Sequence, residues 1–176
     1  MHGLPEADGS VLWLKPDQKS AAYFRKWIYR LSEQYSSPVF EPHITLSDDV
    51  SSFPREEVER ALEEAARLTR PFRLRCTAVV CREYPYQKII VKIDLSDDLA
   101  EVYKTIDLVF GGSYSKKEDP HLSLLYSSLP CDNLTDSVKS TEEITTHELH
   151  VQFISLISLN GTPDVWENKY TVNLED

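Results

Sequence analysis

The fold of this chain is indicated by a short pattern that occurs twice. It reads EPHITLS at positions 41–47 and DPHLSLL at positions 119–125. Each copy has an acid, a proline, a histidine, an aliphatic residue and a small hydroxyl residue in the same order. Because alternate residues of a strand point to one face, each histidine shares a face with the hydroxyl residue two positions later. The pattern predicts one site built from two strands.

The repeat extends beyond these two stretches. His43 and His121 are 78 residues apart, and the same shift aligns the strand-like segments Val11–Trp13 and Ile89–Val91. It also aligns the apolar stripes of two amphipathic helices that follow these segments. Two histidine motifs that matched by chance would not be accompanied by helices and strands at the same 78-residue spacing. The two halves of the chain are therefore predicted to share one plan.

Hydrophobic periodicity and turn residues divide the chain into elements. Strands are predicted at 10–14, 72–82, 87–95, 147–159 and 166–174, with a tight turn at Asn160-Gly161 between the last two. Asp17, Ser52 and Ser96 (or Asp98 for the third) are predicted to cap three helices. The whole chain, 1–176, is predicted to be one domain of two duplicated halves, at about 10–83 and 87–174.

Composition limits the class of partner. The formal net charge is −10, which argues against binding long nucleic acid, because its phosphate backbone requires a basic protein face. A small phosphorylated ligand held by local donors fits this charge. No stretch of about 18 apolar residues predicts a membrane span.

The cysteines indicate a cellular location. The chain has three, Cys76, Cys81 and Cys131, with no metal-like spacing, and its first residues lack the apolar core of a signal peptide. Cys76 and Cys81 have opposite strand parity and are predicted to be buried thiols. A reduced, intracellular and cytoplasmic protein is predicted.

Two paired histidines suit phosphate chemistry without a metal. One imidazole can take a proton from water while the other gives one to a leaving oxygen. Thr45 and Ser123 are then placed to hold the non-bridging oxygens, where charge builds in the transition state. A zinc site fits less well, because two histidines and two hydroxyls lack the third and fourth strong ligands that zinc takes.

The pair His43-Ile44-Thr45-Leu46 and His121-Leu122-Ser123-Leu124 resembles the signature of the 2H phosphoesterase superfamily. Residues 37–45 and 121–126 resemble its cyclic phosphodiesterase branch, with Ser123 in place of the commoner threonine. The resemblance implies an α+β fold of two pseudo-symmetric lobes, each an antiparallel sheet with outer helices, and an active-site groove between them.

The resemblance also implies an activity. The branch opens ADP-ribose 1″,2″-cyclic phosphate to ADP-ribose 1″-phosphate, a step after tRNA splicing, and often opens nucleoside 2′,3′-cyclic phosphates to 2′-phosphates. It uses no metal and no other cofactor. His43 and His121 carry over as catalytic residues, and Thr45 and Ser123 as substrate-binding residues. A monomer that acts on a small nucleotide is expected.

Two aromatic residues carry over with these four. Tyr126 matches a tyrosine near the phosphate or its attacking water, and Trp13 an aromatic residue that borders the groove. Because Tyr126 lies on the strand of His121, His121 is assigned as the base and His43 as the acid.

Several alternatives remain open at this point. The chain could be a 2H enzyme that joins or trims RNA ends, which would need a basic strip beside the groove, or a nucleotide-binding module without catalysis. Lys116 and Lys117 fit a solvated turn or a mobile basic lid over an anionic ligand. His147 and His150, three apart in a predicted strand, are expected at the surface or a sheet edge.

Overall fold

The structure is a computed structural model that describes residues 3–111 and 119–175. The predicted Lys116–Lys117 turn or lid lies outside the described residues. The strands and helices follow one another along the chain in the order β1 Ser10–Pro16, α1 Gln18–Tyr35, β2 Ile44–Thr45, α2 Arg55–Arg67, β3 Phe72–Cys81, β4 Ile89–Ile93, α3 Asp97–Val109, β5 His121–Leu125, α4 Thr135–Ser140, β6 Glu148–Ser158 and β7 Glu167–Asn173. Short 3₁₀ turns cover Pro85–Gln87, Cys131–Leu134, Glu142–Thr146 and Pro163–Val165.

The first helix forms as its sequence predicts. The Asp17 side chain accepts a hydrogen bond from the Ser20 amide and so caps the helix N-terminus. The helix ends where Ser36 adopts a left-handed conformation, with a φ of 50°. Its apolar stripe, which includes Phe24 and Ile28, is buried. This stripe fastens α1 to the sheet.

The second helix departs from prediction at both ends. It begins at Arg55, after Pro54, and Ser52 does not cap it. Pro54 already takes the extended conformation of a cap residue, so the helix starts one residue later than predicted. Leu68, predicted on the apolar stripe, is 67% exposed because it lies just past the last helical turn. At α3 the predicted Ser96 cap is confirmed.

The seven strands form one antiparallel network. Pairings run in the order β1-β2-β5-β4-β3-β6-β7, and β1 also pairs with β6, so six strands are joined in a ring. Exchanging β1 with β4, β2 with β5 and β3 with β6 maps the pairings within this ring onto themselves. This relation supports the proposed duplication. The predicted α+β class is confirmed.

The sheet has a helix side and an open side. Leu12, Ile44 and Leu122 belong to the main core together with the buried residues of α1, α2 and α3. Trp13, the neighbour of Leu12 in β1, belongs to a separate small cluster with Val11 and Ile157. Alternation along β1 thus directs Trp13 away from the helices. The histidine side chains share this open side.

The two C-terminal strands pair as predicted, but the loop that connects them is longer than the predicted tight turn. Ser158 is opposite Glu167, so the loop between them has eight residues and contains a 3₁₀ turn. Gly161 takes a positive φ of 95° inside this loop instead of forming a two-residue hairpin turn. The longer loop brings Trp166 back to Trp13, with ring centroids 6.2 Å apart.

The prediction that Cys76 and Cys81 are buried thiols is confirmed for Cys76 and wrong for Cys81. Cys81, at the end of β3, is bonded to Cys131, and their Cα atoms are 5.7 Å apart. Cys76 is free and buried, and burial raises the pKa of its thiol to about 12. The bond links the end of β3 to the turn after β5. In the part of the chain that the structure describes, no helix is long and apolar enough to cross a membrane.

Candidate active site

The two histidine stretches lie on neighbouring strands. β2 and β5 are antiparallel, and Ile44 is opposite Leu122. Residues that are opposite in an antiparallel pair share a face, so the flanking positions point together to the other face. The four predicted residues therefore form two cross-strand pairs, His43 with Ser123 and Thr45 with His121.

Both imidazoles are held by the same backbone contact. Nδ1 of His43 donates to the carbonyl oxygen of Glu41 at 2.6 Å, and Nδ1 of His121 donates to that of Asp119 at 2.8 Å. A carbonyl oxygen can only accept, so Nδ1 of each ring carries the hydrogen. Each Nε2 is left as the nitrogen that can take or give a proton.

His43 lies in a buried aromatic setting. It is 6% exposed, and the Trp13 ring stacks on it with centroids 3.5 Å apart and an interplanar angle of 7°. Burial lowers the pKa of His43 from 6.5 to about 3, and the charges of His121 and Lys15 act in the same direction. The free protein therefore holds His43 in the neutral form, with Nε2 unprotonated.

His121 has a different environment. Its side chain is 17% exposed, and its Nδ1 lies 4.0 Å from a carboxylate oxygen of Asp119. Asp119 forms an ion pair with Arg82, and this hydrogen bond holds the pKa of the Asp119 carboxyl below its usual value. His121 is thus less buried than His43 and lies beside an Asp119–Arg82 ion pair.

The acid that opens each motif is paired with an arginine. Glu41 accepts two hydrogen bonds from Arg25, with Nη2 to Oε2 at 2.6 Å, as Asp119 accepts from Arg82. These partners come from α1 and from the end of β3. The acids thus anchor the strand starts and do not face the groove as unpaired charges.

The two hydroxyl residues differ in their contacts. Ser123 Oγ donates to the carbonyl oxygen of Tyr86 at 3.0 Å. Thr45 is half-buried, and its hydroxyl has no hydrogen-bond partner among the described residues. To donate to a bound phosphate, Ser123 must therefore release Tyr86, whereas Thr45 needs no such exchange.

A family model described as "Cyclic phosphodiesterase-like protein" matches residues 8–172, which is nearly the whole chain. The chain belongs to this family. The family lies within the 2H phosphoesterase superfamily, so the predicted superfamily is confirmed.

One curated relative of this family member is a cyclic phosphodiesterase from Arabidopsis thaliana. The two are 25% identical over 119 residues, which cover 67% of this chain and 65% of the relative. The match thus spans just under two thirds of that protein.

Solved structures show the same fold. Escherichia coli LigT complexed with 3′-AMP has a TM-score of 0.57 at 14% identity, covering 97% of this chain and 100% of LigT. TT0787 of Thermus thermophilus has a TM-score of 0.61 at 15% identity, covering 94% of this chain and 97% of that one. LigT has also been solved with phosphate, ATP and NADP⁺.

Within this family member, Tyr126 lies on the His43 side of the site. It is 3% exposed and stacks on Phe40, with centroids 3.6 Å apart, and Phe40 in turn meets His43 edge-on at 6.3 Å. Burial raises the pKa of Tyr126 above its usual value. Tyr126 therefore keeps its proton.

A pocket of 220 Å³ is lined in part by Trp13 and Phe40, the two rings that contact His43. Its wall includes residues that the sequence reasoning did not select, and the main ones are Lys15, Phe40, Trp166 and Asn168, together with the predicted Trp13. Lys15 follows Trp13 by two positions on β1, so strand alternation alone places both side chains on one face. The position of Trp166 in this pocket could not be predicted from strand alternation, because Trp166 reaches it through the loop after β6.

The donor set does not resemble a metal centre. Across residues 3–111 and 119–175, no group of three or more histidine, cysteine, aspartate or glutamate side chains is placed to hold a metal ion. The groups that converge at the site are two imidazoles, two hydroxyls and aromatic rings.

Proposed function

We propose that this protein hydrolyses small cyclic nucleotide phosphates. Its substrates are ADP-ribose 1″,2″-cyclic phosphate, which it converts to ADP-ribose 1″-phosphate, and nucleoside 2′,3′-cyclic phosphates, which it converts to 2′-phosphates. The observation that carries the proposal is the cross-strand arrangement of His43, Ser123, Thr45 and His121 on one face. Two imidazoles and two hydroxyls on one face suit a single phosphate.

The mechanism uses one histidine as base and the other as acid. His43 Nε2 takes a proton from water, and the water oxygen attacks phosphorus. The P–O bond on the opposite side breaks, and His121 Nε2 gives its proton to the departing ribose oxygen. The net reaction adds one water across one P–O bond.

This assignment reverses the one made from the sequence, which used Tyr126 to place the base at His121. Tyr126 lies on the His43 side, through Phe40. Burial also keeps His43 neutral, whereas His121 is less buried and has an Asp119 carboxylate oxygen 4.0 Å from its Nδ1. All three observations support His43 as the base.

The proposal is tested by product analysis on a panel of cyclic phosphates. The purified protein is incubated with ADP-ribose 1″,2″-cyclic phosphate, with the four nucleoside 2′,3′-cyclic phosphates and with a 3′,5′-cyclic nucleotide, and the products are separated by chromatography. We expect ring opening of the first two classes, with 1″- and 2′-phosphate products. No turnover of either class, or release of 3′-phosphates, would contradict the proposal.

The hydroxyl residues should contribute less than the histidines. Thr45→Val and Ser123→Ala each remove one donor to the phosphate and leave the proton path intact. We expect turnover to fall by about 10- to 10³-fold, as for the loss of one preorganised donor. Steady-state kinetics check this, with Thr77→Val, on the exposed part of β3, as the control. Unchanged kinetics would assign Ser123 to its Tyr86 contact alone.

Metal removal should leave the activity unchanged. The proposed chemistry needs only imidazoles and hydroxyls, so EDTA should not lower turnover. Rates are measured before and after EDTA treatment followed by buffer exchange. Activity that disappears with EDTA and returns with zinc would rule out the two-histidine mechanism.

The proposal includes a cytoplasmic monomer that acts on a small nucleotide and not on long nucleic acid. The Cys81–Cys131 disulfide removes the cysteine-based support for that location. Light scattering tests the oligomeric state, and cell fractionation tests the location.

A further inference from the structure

A lysine stands beside His43 on the neighbouring strand. Leu14 of β1 is opposite Ile44 of β2, so the next position of this antiparallel ladder places Lys15 beside His43. The electrostatics agree, because the charge of Lys15 contributes to lowering the pKa of His43. Lys15 also lines the 220 Å³ pocket whose wall includes Trp13 and Phe40, the two rings that contact this histidine.

A second lysine stands beside His121. The 78-residue repeat aligns Lys15 with Ile93, so the repeat alone does not predict it. A register shift between the first two residues of β4 moves this strand by one position against β5, and Lys92 comes to lie opposite His121. The face that carries the histidines thus has one cation beside each of them.

Lys15 is a half-buried cation with no ion-pair partner among the described residues. Burial is the main cause that lowers its pKa, and no carboxylate of the described residues forms an ion pair with it. The nearby Glu41 carboxylate acts on Lys15 at longer range and is already bound by both arms of Arg25. Lys92, by contrast, is exposed to solvent.

An unpaired charge in a partly desolvated place is unfavourable unless a ligand supplies the opposite charge. The ligand in this groove, under the proposed function, is an anion. We propose that Lys15 is a substrate-binding residue whose ammonium group binds the phosphate from the His43 side, with Lys92 making a weaker, exposed contact beside His121. This inference rests on the proposed function and goes beyond it by naming the cation that the substrate meets.

The contact between Lys15 and the phosphate also changes how readily the base, His43, takes a proton. His43 is faced by Lys15 from β1, by His121 from β5 and by the Glu41–Arg25 pair at the start of its own strand. When the phosphate neutralises Lys15, one of the charges that disfavour a proton on His43 is cancelled. His43 therefore becomes a stronger base in the complex than in the free protein.

Binding of inorganic phosphate tests Lys15 without relying on turnover. Calorimetry at one low salt concentration compares the wild type with Lys15→Met, Lys15→Arg, Lys92→Met and the control Lys104→Met, which removes an exposed lysine of α3. We expect Lys15→Met to raise Kd by about 10- to 10²-fold, the effect of losing one charge-assisted hydrogen bond. Lys15→Arg should bind within a few-fold of wild type, Lys92→Met should lose less than Lys15→Met, and Lys104→Met should be unchanged.

A second readout follows the His43 ring itself. In NMR titrations, Lys15→Met should move the pKa of His43 upward, and added phosphate should then shift it less than in wild type. Near-ultraviolet circular dichroism confirms the fold of each variant, and Lys15→Gln replaces Lys15→Met if the latter unfolds.

The outcomes separate this inference from the proposed function. If the wild type hydrolyses cyclic phosphates while folded Lys15→Met binds phosphate as tightly as wild type, the role of Lys15 is refuted and the function stands. If the wild type neither binds phosphate nor hydrolyses the panel, both are refuted. Weaker binding in Lys15→Met with a wild-type response in Lys104→Met supports the role.

Discussion

Replacing either His43 or His121 with alanine is expected to lower turnover by about 10²- to 10⁴-fold, the range for loss of a general acid or base. Each variant loses one half of the proton path, and the other histidine cannot serve both sides of the reacting phosphorus. Initial rates on the best substrate of the cyclic phosphate panel measure this effect.

The fold should survive both changes. His43 and His121 each make a ring contact to a nearby carbonyl, and neither belongs to the main hydrophobic core. His150→Ala is the matched control, because the His150 side chain is 41% exposed and its ring lies near the carboxylates of Asp17 and Glu148. A histidine variant that keeps near-full activity, or a control that loses activity equally, would refute the two-histidine mechanism.

Which side chains of the two histidine strands share a face could be predicted, because this depends only on strand alternation. A His-x-hydroxyl string in a strand places both side chains on one face, whatever the rest of the chain does. The repeat then implied that the two strands meet, and the β2–β5 register brings each histidine opposite the hydroxyl residue of the other copy. The Asp17 and Ser96 helix caps were predictable as well, since a cap depends only on residues three positions apart.

Other features depend on distant parts of the chain. The burial of His43 comes from Trp13 and Phe40, which lie on a different strand and a loop. Strand parity excluded a bond between Cys76 and Cys81 but said nothing about Cys131, 50 residues further on. No periodicity rule carries such information. The position of Lys92 beside His121 could not be predicted either, because a one-residue register shift in β4 interrupts the repeat.

The roles of the two histidines give the second large expected effect. If His121 is the acid, its loss matters little when the leaving group needs no proton. A p-nitrophenyl phosphodiester has such a leaving group, so His121→Ala should recover most of its lost activity on that substrate. His43→Ala should stay about 10²- to 10⁴-fold below wild type on both substrates, because water must be activated in either case.

The pH profile of kcat/KM provides an independent check, because it reports the groups of the free protein. The base must be neutral, so activity is lost as pH falls through the pKa of His43, which burial lowers from 6.5 to about 3. The acid limb should therefore lie well below the ordinary histidine pKa of about 6.5. The alkaline limb belongs to the acid and should disappear in His121→Ala on the p-nitrophenyl substrate.

The opposite assignment, with His121 as the base, predicts different results. With His43 as the acid, the reactive free protein would need a proton on a buried imidazole whose lowered pKa disfavours it at neutral pH. His43→Ala would then be the variant that the good leaving group restores, and His121→Ala would stay inactive on both substrates. That pair of results would return the base to His121, and it would show that the bound phosphate, and not the free protein, decides where the proton sits.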